Sequence, residues 1–190
     1  MLLVLVPFAS AASEDRASKL AEKKLWAYSE KIALALPGDG RDVSALAFPS
    51  DRSGMASENS EQHASATEIG PSLAAVNTVV VIAKNAQADS VSFELKGSCV
   101  PFKSLRSRYP SLLVLDYPRD ESVLARHTFG ALVGDSIIAY SFPAAQSGCM
   151  NHVEVSLAAS ITAKTVGSAG GSGSVGRKTT ADGGGRHGNE

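Results

Sequence analysis

The sequence predicts an α+β protein: an N-terminal amphipathic helix packed on a mainly antiparallel β-sheet or small sandwich, with a disordered linker and a disordered tail. Three observations predict it. Residues 13–36 carry Ala21, Leu25, Tyr28, Ile32 and Leu36 at spacings of four, three, four and four, which is one face of a helix. Residues 77–166 contain six or seven short β-type runs separated by turn residues. Residues 38–72 and 167–190 are rich in small and polar residues and show neither period.

The chain has 190 residues, 44% of them hydrophobic, 19% charged and 6% aromatic, with a net charge of −1. That length and apolar content suffice for one domain with a real core. With few aromatics, the core must rest on Val, Leu, Ile and Ala, each of which buries modest area. The net charge gives no long-range attraction for nucleic acid. A nucleic-acid partner is therefore not expected, whereas a protein or glycan partner is compatible with the composition.

The N-terminal "MLLVLVPFASAAS" is an apolar run, then Pro7, then small residues. Ala9-Ser10-Ala11 and Ser10-Ala11-Ala12 fit the small-x-small pattern of signal-peptidase sites, so residues 1–12 read as a candidate signal peptide. The run lacks a preceding Lys or Arg; its other reading is buried core of an intracellular binding domain, or a start upstream of Met1. It falls well short of the roughly 20 apolar residues needed to span a bilayer, so no transmembrane helix is expected.

Residues 13–37 form the amphipathic helix. Ser13 is the expected cap, Glu14 and Asp15 suit the positive end of the dipole, and Pro37-Gly38-Asp39-Gly40 ends it. Lys19, Lys23, Lys24, Glu30 and Lys31 lie largely off the apolar face. Residues 38–72 read as a linker, because isolated apolar residues such as Val43, Leu46, Phe48 and Ile69 cannot offset ordering entropy. Residues 73–166 read as the β-rich domain. There "NTVVVIA" is continuous, as in a strand buried on both faces, while "SVSFELK" and "NHVEVSL" alternate as half-buried strands. "SLLVLDY", "FGALV" and "SIIAYSF" add further strands, and "ASITAKTV" is a candidate last one. Residues 167–190 form a Gly/Ser-rich flexible tail.

Cys99 and Cys149 are the only cysteines. A thiolate zinc site would need histidines to complete it, and His63 and His127 have no ligand spacing to either cysteine, although His152 is near Cys149. No metal and no cofactor are expected. In an oxidising compartment the two cysteines would form one disulfide.

The stretch "ALVGDSIIAYS" has a Gly134-Asp135-Ser136 core between apolar runs. It resembles the first block of the GDS-type (SGNH) hydrolases, which place a serine after a strand at such a turn. The resemblance covers under a dozen residues. It implies Ser136 as nucleophile; apart from the resemblance, the residues that the fold would have to bring to it are His152 as base and Asp116 or Asp120 to orient the imidazole. The chain departs from that pattern. "SIIAYSFP" is a poor helix, and Asp182 and His187 are five apart where the family has an Asp-x-x-His block. A hairpin explains the same residues with less: Gly-Asp suits a two-residue primed turn, and Ser136 then begins a strand.

The segment "PFKSLRSRYP" is the one basic cluster, with Lys103, Arg106 and Arg108 as a ligand-binding candidate for an anionic glycan or phosphate. "VLDYPRDES" gathers Asp116, Asp120 and Glu121 around a turn. No phosphate loop, dinucleotide fingerprint or His-Glu-x-x-His is present. The reading that follows is a secreted, non-enzymatic binding or surface-display protein, of the kind of a secreted antigen or adhesion module. Its rivals are a small serine hydrolase acting through Ser136 and an intracellular binding domain.

Overall fold

The computed structural model describes residues 10–49, 61–83, 85–117, 125–144 and 148–160. Along the chain run helix α1 (Ser10–Ala35), helix α2 (Gly40–Ala47) and strands β1 (Glu61–Gly70), β2 (Leu73–Ile82) and β3 (Ala88–Gly97). Helix α3 (Phe102–Arg108) and strands β4 (Leu113–Asp116), β5 (Arg126–Val133), β6 (Ser136–Pro143) and β7 (His152–Leu157) follow. The strands form one seven-stranded sheet in the order β1-β2-β3-β7-β6-β5-β4, and every pairing is antiparallel. The expected α+β class is the fold observed.

The sheet consists of two meanders. One is β1-β2-β3; the other runs β4-β5-β6-β7 and returns so that β7 docks on β3. Helices cover one face. α1 packs across β1, β5, β6 and β7, and α2 against β2 and β3. The helical face expected from the spacing is the one buried: Ala21, Leu25, Ile32 and Leu36 are sealed and Tyr28 is half-buried. They meet Phe93, Ile138, Tyr140, Val153 and Val155 in one core cluster. Each large side chain so buried contributes about 1.5–3 kcal/mol. Trp26 and Tyr140 meet edge to face with centroids 5.5 Å apart, and Tyr140 is the largest sealed side chain.

Several expectations need correction. The helix starts at Ser10, not after Ser13, so the small residues assigned to a cleavage site run into it. Residues 1–9 of the candidate signal peptide lie outside the described residues. Residues 38–72 are not a linker throughout. Asp39 caps α2 by accepting from the Arg41 N–H at 2.8 Å, and residues 61–70 are a strand. The turn into β2 is Pro71-Ser72, with Ser72 at φ 59°. Pro71 suits the first central position of a type II turn, which needs positive φ at the second. The β-rich region thus begins at Glu61.

Strand β2 is not buried evenly on both faces. Leu73, Ala75, Thr78, Val80 and Ile82 are buried while Val76, Val79 and Val81 are half-exposed. The register shifts between Val76 and Val79, where Asn77 sits at φ 53°. Asn tolerates this region better than other non-Gly residues, and the bulge restores inward facing for the rest of the strand. The "PFKSLRSRYP" cluster forms helix α3. Of "ASITAKTV", residues 159 and 160 belong to a helical turn; residues 161–166 and the 167–190 tail lie outside the described residues.

The disulfide joins Cys99 and Cys149, with Cα atoms 5.1 Å apart and a sequence separation of 50. It lies where the two meanders meet, just beyond the end of β3 and just before β7. Backbone bonds continue through it: Leu95 donates to Asn151 at 2.9 Å and Met150 donates to Val100 at 2.9 Å. Among the described residues no helix is long and apolar enough to cross a membrane.

Candidate binding surface

The residues proposed for nucleophilic catalysis are not brought together. Gly134-Asp135 is a two-residue hairpin loop between Val133 and Ser136, with Gly134 at φ 58° and Asp135 not at positive φ. That is the type II′ pattern, whose twist suits a hairpin. Ser136 is sealed beneath α1, where its hydroxyl donates to the Ala33 carbonyl at 2.8 Å. His152 pairs with Ser141, and Ser136 pairs with Leu157. Ser136 faces the helices with Ile138 and Tyr140, whereas residue 141 and its partner His152 face the other way. The sheet therefore lies between the serine and the imidazole, and they stand about 17 Å apart along the strand.

Asp116 is exposed on β4, beyond β5 and β6 from His152. Asp120, Glu121, Asp182 and His187 lie outside the described residues. The open face does carry one polar row, in which Glu94, His152, Ser141, Thr128 and Asp116 pair in turn across five strands. Within it Ser141 and Thr128 share a hydrogen bond of 3.0 Å. His152 is half-buried; desolvation first, and Arg126 second, hold its pKa below the ordinary value. Among the described residues no cluster of His, Cys, Asp or Glu has the arrangement of a metal site.

The basic candidates sit on α3, which lies beside α1. Arg108 is not free to bind. Its guanidinium grips Glu30 of α1 with contacts of 2.7, 2.9 and 3.0 Å. The Glu30 hydrogen bond raises the Arg108 pKa further. Tyr109 donates to the same carboxylate at 2.7 Å, and Tyr140 donates to Tyr109 at 3.3 Å. A chain of hydroxyls thus leads from Ser29, 3.1 Å from Tyr140, out to a surface ion pair. Burial pushes Tyr109 up to about 12, with Glu30 adding to the shift. Ser104 donates to Glu22 at 3.0 Å, a second clamp of α3 on α1. Lys103 and Arg106 are exposed and have no partner among the described residues. Between the helices is a groove of about 630 Å³ lined by Asp15, Lys19, Glu22, Trp26, Cys99 and Lys103, among others. Its charges are of both signs.

The larger feature is the outer surface of the helical layer. Along α1, Arg16, Leu20, Lys23, Ala27, Lys31 and Leu34 recur every three or four residues and are exposed. Lys24 flanks them, its stem lying over Gly70. Among the described side chains no carboxylate enters this stripe: Asp15 is drawn to Lys19 at 2.7 Å, Glu22 accepts from Ser104 and Glu30 is held by Arg108. Helices α1 and α3 together carry eight Lys and Arg against four Asp and Glu, while the whole chain is at −1. The rest of the chain is accordingly net acidic, and the open sheet face shows it with Glu68, Glu94, Asp116 and Glu154 against Lys96 and Arg126. The stripe was visible in the sequence as lysines off the apolar face. What the sequence did not show is that α3 docks beside it and adds cations to the same layer.

A second exposed feature is apolar. Edge strand β4 and the residue after it leave Leu113, Val114 and Tyr117 open to solvent, and Leu132 on β5 is 59% exposed. Comparison with protein-family models, with curated proteins and with solved structures finds no match to this chain.

Proposed function

We propose that this chain is an extracellular binding module that performs no bond chemistry and holds an anionic partner against the outer surface of its helical layer. The observation that carries this reading is the segregation of charge: over α1 and α3 lie the exposed cations Arg16, Lys23, Lys24, Lys31, Lys103 and Arg106, without an ion-pair partner among the described residues, and carboxylates lie over the open sheet face. A cationic field on one side attracts and orients a polyanion even when net charge is near zero. The disulfide supports an oxidising compartment, since such bonds persist there and not in a reducing cytosol. It also supports a surface role, because it ties the two meanders into one stiff platform.

Retention of the folded protein on heparin–agarose tests the proposal. The expected result is retention at low salt, lost as salt rises, and weakened in Lys23→Glu/Lys31→Glu but not in a Lys96→Glu control. A folded wild type that flows through at low salt overturns it. The rival hydrolase reading has its own check: a fluorophosphonate adduct on Ser136 of native protein would displace the binding reading. None is expected, because the Ser136 hydroxyl is sealed and spent on Ala33.

A further inference from the structure

Resting on that reading, we infer that the anionic partner is a lipid bilayer surface, with α1 lying flat along it. The cations alone do not distinguish a lipid headgroup from a sulfated glycan. The leucines do. Leu20 is 44% exposed and Leu34 is 65% exposed, both within the cationic stripe. Each follows or precedes a cation by three or four residues: Arg16 and Lys23 flank Leu20, and Lys31 precedes Leu34. A glycan chain has no use for exposed leucine. A bilayer interface does, because apolar side chains enter the acyl boundary while Lys and Arg stems reach back to the headgroups.

The geometry suits a helix parallel to the surface. The two leucines are fourteen residues apart, so they anchor points about 21 Å apart along one side of α1. Leu20, Ala27 and Leu34 recur at seven-residue spacing, which keeps them within about 40° of one another around the helix. Lys103 projects from α3 toward solvent beside the same layer, which widens the contact beyond one helix. The acidic open face is repelled by the same anionic surface, so the molecule has one preferred orientation. No insertion is implied: α1 buries its other face in the core, and among the described residues no helix is apolar enough to span.

Co-sedimentation of the full chain with vesicles tests the inference. One set is phosphatidylcholine alone and the other contains phosphatidylglycerol. The protein is expected to pellet with the anionic vesicles only, with binding falling as salt rises. Leu20→Ser/Leu34→Ser is expected to lower vesicle partitioning about tenfold while leaving heparin retention unchanged. Lys23→Glu/Lys31→Glu is expected to weaken both. All substituted side chains are exposed, and thermal melting of each variant verifies that it remains folded. If wild type stays in the supernatant with anionic vesicles but is retained by heparin, the lipid inference fails and the binding reading stands. The same holds if the leucine variant partitions like wild type. If neither matrix holds the protein, both fail.

Discussion

The Ser136 hydroxyl donates 2.8 Å to the carbonyl of Ala33, and this bond completes the end of helix α1. The regular helical donor to that carbonyl is the N–H four residues on. That residue is Pro37, which has no N–H. Neighbouring carbonyls are served within the chain: Leu36 donates to Ile32 at 2.9 Å and Gly38 donates to Ala35 at 2.9 Å. Ala33 alone of these is served by a strand residue 103 positions away. The serine that resembles a nucleophile in the sequence is a helix-capping donor supplied by the sheet.

Ser136→Ala is expected to destabilise the fold by about 1–3 kcal/mol, the range for a buried carbonyl left without a donor. In a Pro37→Ala background the backbone N–H at 37 can serve Ala33, so the same substitution should cost clearly less. Urea denaturation of the four proteins in this double-mutant cycle measures the coupling. Equal losses in both backgrounds would mean that the hydroxyl has another role.

Reducing Cys99–Cys149, or replacing both cysteines with alanine, should lower stability by about 4 kcal/mol, the chain-entropy value for a loop of this length. Thermal melts with and without reductant give the comparison. The seam strands should still pair in the reduced native state, because the backbone bonds from Leu95 and Met150 do not depend on the sulfurs. Hydrogen exchange at those two amides follows this directly.

Alkaline pH should unfold the protein earlier than its carboxylates and lysines would suggest. Tyr28 and Tyr109 are pushed up from 10.0 to about 12, and Tyr140 is pushed well above its ordinary value, each mainly by burial. The unfolded chain ionises its phenols first, so this stabilisation is complete below pH 10 and is lost as pH rises toward about 12. Denaturant midpoints measured at pH 8 and upward through this window, alongside phenolate absorbance, should fall as the phenols ionise. Tyr109→Phe should also loosen α3, since it removes one of the donors that Glu30 accepts.

Gly40→Ala should cost about 1–3 kcal/mol by overpacking. A Cβ at this position would stand 2.6 Å from the Ala86 carbonyl oxygen and 2.9 Å from Ile82 Cδ1. The Gly40 N–H also donates to Ala86 at 3.1 Å, so α2 cannot retreat without losing that bond. Circular dichroism melts of the variant report the loss; an unchanged midpoint would show that the β2–β3 turn gives way freely.

Parts of this arrangement were legible because their periods are long or strict. The apolar face of α1 repeats through Ala21, Leu25, Ile32 and Leu36, and "SVSFELK" alternates without a break. The Gly134-Asp135 pair signalled its hairpin through the φ that only glycine adopts without cost. Other parts were not legible. Strand β1 is rich in Ala, Ser, Glu and Gln and has little strand preference of its own; it is held by the β2 ladder and by α1 packed across it. Helix α2 is eight residues long, too short for a period to show. In the candidate surface, the lysines of α1 could be read as outward, but Arg108 could not be read as spent, since its partner Glu30 lies 78 residues away.

The amino-acid sequence by itself determined which segments become helix or strand where local periodicity is strong, which face of each turns inward, and that two cysteines were available for one bridge. Those properties follow from spacing along a single chain. Only the tertiary structure decided that β7 docks on β3, that Ser136 and His152 lie on opposite faces of the sheet, and that α3 adds its cations to the layer of α1. Each of these is a pairing between distant residues. Its free energy comes from backbone ladders and buried area that exist once the two meanders close, so no local pattern encodes it.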